Sequence, residues 1–196
     1  AHMPQAKREM ALLYAVNPGG ADHTVSEHST SYMRFPEGMA TLDLLDPQPA
    51  DVLNDEMVRY AVYSQHLISA VDSVCVCKFV YGPAWQLYNV RQWIDALQAI
   101  TGWNVSVWEL MKLGERRINL LRAFNAREGV GVEADTLPHK LTIPLVGGAT
   151  DGVSVTEAEF EQARALYYEM VGWDQEGYPT PAKLKELGLG QVAEEV

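Results

Sequence analysis

Apolar residues recur at three- and four-residue steps along most of this chain, the signature of amphipathic helices. Met57, Tyr60, Ala61, Ser64, Leu67, Ile68 and Val71 fall on one stripe. They predict a helix over about 55–71, capped by Asn54. A second helix is predicted from Trp85 to Ile100, stopped by Gly102. Ser106 and Glu109 have capping-box spacing and open a long helix ending at Gly129, with Val107, Met111, Gly114, Ile118, Leu121 and Phe124 inward. Gly114 in mid-helix costs about 1 kcal/mol relative to alanine, which close helix packing would explain. Thr156 and Glu159 repeat the capping-box spacing before a helix to Val171, with Phe160, Ala163, Tyr167 and Met170 inward. Thr180 caps a short final helix with Pro181 at its first position, ending at Gly188.

Between these segments the pattern breaks. Residues 7–16 read as a short helix or strand, halted by Asn17-Pro18-Gly19-Gly20. Residues 21–50 read as irregular, punctuated by Pro36, Gly38, Pro47 and Pro49, and residues 130–155 as a Gly-rich connector. Strand-like alternation is confined to a few residues around 141–143 and 153–155. The expected fold is all-α and multihelical, irregular rather than up-down, with long loops near 17–50 and 130–155.

Composition narrows the function classes. Hydrophobic residues make up 47% of the 196 and charged residues 21%, enough for a real core and too apolar for disorder. The net charge of -11, with scattered lysines and arginines, argues against nucleic acid, which demands a basic stripe. No apolar run approaches the ~20 residues of a membrane span. Cys75 and Cys77, the two cysteines, are separated by one residue, where a disulfide would be strained and close almost no loop. A reducing, cytoplasmic setting is expected. Residues 1–3, Ala-His-Met, read as a cloning scar, leaving 4–196 as the natural sequence.

Candidate chemistry lies in two places. The Cys75/Cys77 pair follows Asp72 at a helix end, where it is either a structural pair or part of a metal site; a whole iron–sulfur cluster normally needs four thiolates. His23 and His28, beside Asp22 and Glu27, lack helical metal-ligand spacing, so a solvated polar loop is expected. His66 reads as a packing or surface residue and His139 as exposed. Trp85, Trp93, Trp103, Trp108 and Trp173 read as core or interface anchors. The paired glycines 19–20 and 147–148 lack phosphate-loop spacing.

Four stretches, in order, resemble the aldehyde:ferredoxin oxidoreductase family. Residues 114–129, GERRINLLRAFNAREG, resemble its "GER…N…R.FN.REG" helix, and residues 135–138, DTLP, the motif after it. Residues 167–188 resemble its "YYELRGWD…G.PT..KL.ELG" ending, and residues 72–79, DSVCVCKF, its "DxxGLC.F" motif. The resemblance covers the chain from about Ala11, as the C-terminal helical region of such an enzyme.

The resemblance implies a complete protein with a β domain holding a tungsten or molybdenum bis-pterin, and a four-iron four-sulfur (4Fe-4S) cluster beside one pterin. Three cluster cysteines would lie upstream; Cys77 matches the fourth. Asp72 matches an aspartate that hydrogen-bonds a pterin, and Val76 lies between them at the cofactor. His23 matches a histidine near the metal, suited to accept a proton near pH 7. Two positions depart from the pattern: Cys75-Val76 replaces Gly-Leu, and Val25 stands where some members carry a lysine. The implied activity is oxidation of aldehydes to carboxylic acids, with ferredoxin as acceptor, the pterin-binding domain as partner, and a homodimer as a possible assembly. The alternatives are a non-catalytic helical interaction module, a divergent relative such as a benzoyl-CoA-reductase-like tungsten subunit, and a dithiol metal carrier.

Overall fold

The computed structural model describes residues 3–195; Ala1, His2 and Val196, which belong to the expected scar and to the end of the expected domain, lie outside the described residues. Among these residues eight α-helices and four short 3₁₀ turns appear, and no strand. In chain order the helices are α1 (Arg8–Val16), α2 (Thr30–Arg34), α3 (Pro36–Ala40), α4 (Asp55–Ser73), α5 (Val90–Thr101), α6 (Val107–Arg127), α7 (Glu157–Val171) and α8 (Pro181–Glu186). The all-helical expectation holds.

The fold is built around α4. Asn54 caps it by accepting from the Met57 amide. The expected stripe is buried, and so are Val58, Val62, Gln65, His66, Ser69 and Ala70, because α1, α6 and α7 pack around it on several sides. A helix enclosed in this way needs less amphipathic contrast than a surface helix.

Gly114 is the point of closest approach between α4 and α6. A Cβ there would stand 1.8 Å from the His66 carbonyl oxygen and 3.0 Å from the Ala70 nitrogen, so only glycine lets the two backbones meet. Ser69 Oγ fastens the contact by donating to the Gly114 carbonyl at 3.0 Å.

Several local expectations need correction. Of the two expected forms, residues 8–16 take the helix. Residues 21–50 contain α2 and α3, and their Tyr32, Met39, Leu42 and Leu44 enter the core. Helix α5 begins at Val90, not Trp85, because Asn89 and Gln92 form a capping box that fixes the start there; Gly102 then ends it in the left-handed region, φ 72°.

Leu121 and Phe124 of α6 face outward. Past Ile118 the buried side of this helix rotates onto Asn119, Arg122 and Ala123. Met170 is likewise on the outer side of α7, and Tyr168 and Val171 take the inner positions.

That rotation serves a buried polar network. Arg122 pairs with Asp135 through two hydrogen bonds, Nη1–Oδ1 at 2.9 Å and Nη2–Oδ2 at 2.7 Å, and donates from Nε to the Gly177 carbonyl at 2.6 Å. Its guanidinium lies 4.6 Å from the Trp173 ring centroid. Tyr168 donates its hydroxyl to Asp135, and Trp173 Nε1 donates to Asn119 Oδ1 at 2.9 Å. Burial, followed by this bond, raises the Tyr168 phenol. Three of the four motif stretches of the sequence therefore converge on one structural cluster.

Candidate functional site

Helix α4 ends in a reverse turn. The Val76 amide donates to the Val71 carbonyl and the Cys75 amide to the Asp72 carbonyl, at 3.2 and 3.1 Å. These are the two bonds of a Schellman motif, which places its central residue in the left-handed region. That residue is Cys75, at φ 57°. The position glycine usually fills thus carries a β-carbon here.

The turn delivers both cysteines to the surface with free, exposed thiols, so neither is a small buried hydrophobe. The Val76 side chain between them packs partly against the core. The Asp72 carboxylate, at the end of α4, is half-exposed and lies 3.6 Å from Arg117 Nη1. The Cys77 carbonyl accepts from the amides of Val80 and Tyr81, which starts the next turn.

The His23 segment approaches from the other end of the chain. Asp22 Oδ1 accepts from the amide and hydroxyl of Thr24, both at 2.8 Å, which closes a tight polar turn. His23 presents a half-exposed ring 3.9 Å from Asp22. His28 lies beneath it, ring centroids 6.2 Å apart.

Lys7 Nζ is 3.3 Å from His28 Nδ1. An ammonium only donates, so Nδ1 is the acceptor, and Nε2 carries the proton that is donated to the His23 carbonyl at 3.1 Å. Burial and the neighbouring Lys7 charge both lower the His28 pKa, which favours this neutral form.

Lys78 joins the two segments. Its Nζ donates to the Thr24 carbonyl at 2.7 Å, so the residue after Cys77 is tied to the residue after His23. Both segments border a cavity of ≈ 150 Å³ lined by His23, Glu27, His28, Lys78, Phe79 and Trp85 among others. Asp72 and Cys77 do not line it; they stand beyond Lys78.

Sequence reasoning named most of these residues singly and missed that they form one wall. Glu27 is buried and accepts from Trp85 Nε1 at 3.0 Å, Gln86 Nε2 at 2.6 Å and Ser31 Oγ at 2.9 Å. Only the adjacency of Lys78 to Cys77 was a visible signal. Val25 packs partly against the core. Of the other residues singled out, His66 is buried, His139 exposed, Trp93 and Trp173 buried, and Trp85, Trp103 and Trp108 exposed.

The residues fit a shared redox centre in a limited way. Cys77 offers one accessible thiol on an ordered turn, and Asp72 one accessible carboxylate. Among the described residues no group of three or more His, Cys, Asp or Glu side chains is placed to hold a metal ion. No helix among them is long and apolar enough to cross a membrane.

Known proteins bear on this geometry. The family model described as "Aldehyde ferredoxin oxidoreductase, domains 2 & 3" matches residues 1–189. The tungsten-containing aldehyde ferredoxin oxidoreductase of Pyrococcus horikoshii is 31% identical over 192 residues, covering 96% of this chain and 29% of that protein. An aliphatic sulfonate oxidoreductase, WOR-like subunit, from Pyrococcus furiosus is 29% identical over 141 residues, 68% of this chain and 22% of that protein. A chain of the benzoyl coenzyme A reductase active-site complex BamBC has the same fold, with TM-score 0.61 and 20% identity over 78% of this chain and 23% of that one. The chain thus spans under a third of the length of the relatives it matches. With a family model across nearly its whole length and the helical fold in agreement, this chain belongs to the aldehyde ferredoxin oxidoreductase family, in the region of its domains 2 and 3.

Proposed function

We propose that this chain forms one wall of the redox centre of a tungsten- or molybdenum-pterin oxidoreductase that converts aldehydes to carboxylates. The carrying observation is the Lys78–Thr24 bond, which holds the loops of His23 and Cys77 side by side. The pterin-bound metal and a 4Fe-4S cluster would supply the two-electron chemistry, with the remaining cluster ligands coming from outside this chain. Oxidation of an aldehyde by water gives a carboxylate, two electrons and three protons; the electrons leave for ferredoxin.

This chain's part is to hold and to move protons. The Cys77 thiolate would serve as one cluster ligand, and the Asp72 carboxylate would accept from pterin N–H donors. Val76 fixes the turn between them through its packing on the core. His23, whose backbone carbonyl accepts from His28 Nε2, would take up on its imidazole a proton released at the reacting carbon. The homologous tungsten aldehyde ferredoxin oxidoreductases support this proposal.

The test is His23→Ala in the full-length protein. Loss of a general base typically costs 10²–10⁴-fold in rate; kcat for aldehyde oxidation should fall in that range with tungsten and iron content unchanged. Unchanged kcat would remove His23 from the chemistry.

A further inference from the structure

A second cavity, of ≈ 430 Å³, lies between α4, α6 and the start of α8, and shares no lining residue with the His23 cavity. His66 lines it, whereas Ile68, two residues on, lines the other; two residues along a helix turn about 200°. The cavities therefore flank opposite sides of α4.

The polar end of this cavity is unusual. His66 is 5% exposed and its Nε2 is buried without a hydrogen-bond partner, an arrangement that costs free energy unless a guest satisfies it. Burial first, and the Lys183 and Lys112 charges with it, push the imidazole down to about 4 against an opposing pull from Glu115, so the ring is neutral at pH 7.

The charges beside it are already matched. Glu115 accepts from Lys112 at 2.7 Å and Lys183 at 2.6 Å, and Glu186 accepts from the same two at 2.8 and 3.4 Å. The rest of the wall is mixed: Met111, Val62 and Trp108 are apolar and polarizable, whereas Thr41, Asp43 and Tyr63 are polar, with Asp43 already paired to Arg59. Met111 and Val62 line it, and the indole of Trp108, 66% exposed, stands at the edge with Lys112 Nζ 5.0 Å from its centroid. A concavity of this size that joins an apolar wall to a buried, unsatisfied imidazole nitrogen has the make-up of a small-molecule site.

We propose that this cavity binds a small neutral aromatic molecule bearing a hydroxyl group, the ring lying against Met111 and Trp108 and the hydroxyl meeting His66 Nε2. A hydroxyl both donates and accepts, so it satisfies either tautomer of the imidazole. A flat ring suits the thioether and indole surfaces. A carboxylate gains little, since both ammonium groups are engaged by Glu115 and Glu186.

The test uses the full chain and three probes of one shape: phenol, toluene and benzoate. Each is titrated while the Trp108 indole N–H resonance is followed by NMR. Phenol should saturate the shift and bind about 5-fold tighter than toluene, the yield of one hydrogen bond, and benzoate no tighter than toluene. In His66→Leu the preference for phenol should vanish while toluene binding persists. Met111→Ala, a change in the cavity wall that keeps the Trp108 reporter, should weaken phenol and toluene alike. Equal binding of phenol and toluene, benzoate as the tightest probe, a phenol preference surviving His66→Leu, or no saturable shift would each overturn the proposal.

Discussion

Arg122 and Asp135 face each other through two parallel hydrogen bonds with both side chains almost wholly removed from water, 1% and 4% exposed. A pair so buried is costly to form and more costly to halve, because the surviving charge keeps no partner. Asp135→Asn should therefore destabilise the chain by about 3–5 kcal/mol, read from the urea midpoint. A loss under 1 kcal/mol would mean that Tyr168, the Gly177 carbonyl and Arg164, which donates to the Asp135 backbone carbonyl at 2.8 Å, hold the cluster without the charge.

This cluster also explains what the sequence could and could not tell. The helix starts at Asn54, Ser106, Thr156 and Thr180 were legible, because each depends on a side chain and an amide two or three residues away. Gly114 was legible as a packing contact because helical glycine has few other uses. The outward turn of Leu121 and Phe124 was hidden: periodicity cannot register that Arg122, a nominally exposed type, is drawn inside by Asp135 and Trp173. The same holds for Glu27, whose three donors come from residues 31, 85 and 86. His23 and the Cys77 turn were visible as clustered metal-ligand residue types, and their roles came through resemblance; their neighbourhood through Lys78 is tertiary and left no local trace.

Cys75 at φ 57° is a side chain in a conformation that suits glycine. A left-handed residue with a β-carbon costs about 1–2 kcal/mol. Cys75→Gly should raise the free energy of unfolding by about 1 kcal/mol, the flexibility gained by the unfolded chain taking back part of the relief. Thermal unfolding with equal heating rates checks this; a lower midpoint would mean that the thiol makes contacts that outweigh the strain.

His66 gives the stability a pH signature. Its folded pKa of about 4 lies below the ordinary 6.5, so below pH 6.5 the unfolded chain takes up a proton that the folded chain refuses. Stability contributed by this group is complete above about 6.5 and is lost as pH falls toward 4, by about 3 kcal/mol in all. Glu115, Lys112 and Lys183 are the charged groups beside it; against the opposing effect of burial, their hydrogen bonds hold the Glu115 carboxyl below and the Lys112 ammonium above their usual ranges. His66→Gln should flatten the stability profile between pH 4 and 6.5 relative to the parent chain. Parallel profiles in urea titrations at pH 4.5, 5.5 and 6.5 would show that His66 is not held neutral.

The measurement that bears most directly on the proposed redox wall is iron content in the full-length protein with each cysteine changed in turn. Both thiols are exposed and two residues apart, so loss of general packing would affect the two variants similarly. If Cys77 is a cluster ligand, Cys77→Ser should lose the cluster's iron and its reduced-state paramagnetic resonance, while Cys75→Ser retains both. Equal iron loss in the two variants, or none in either, would contradict the assignment of Cys77 to the centre.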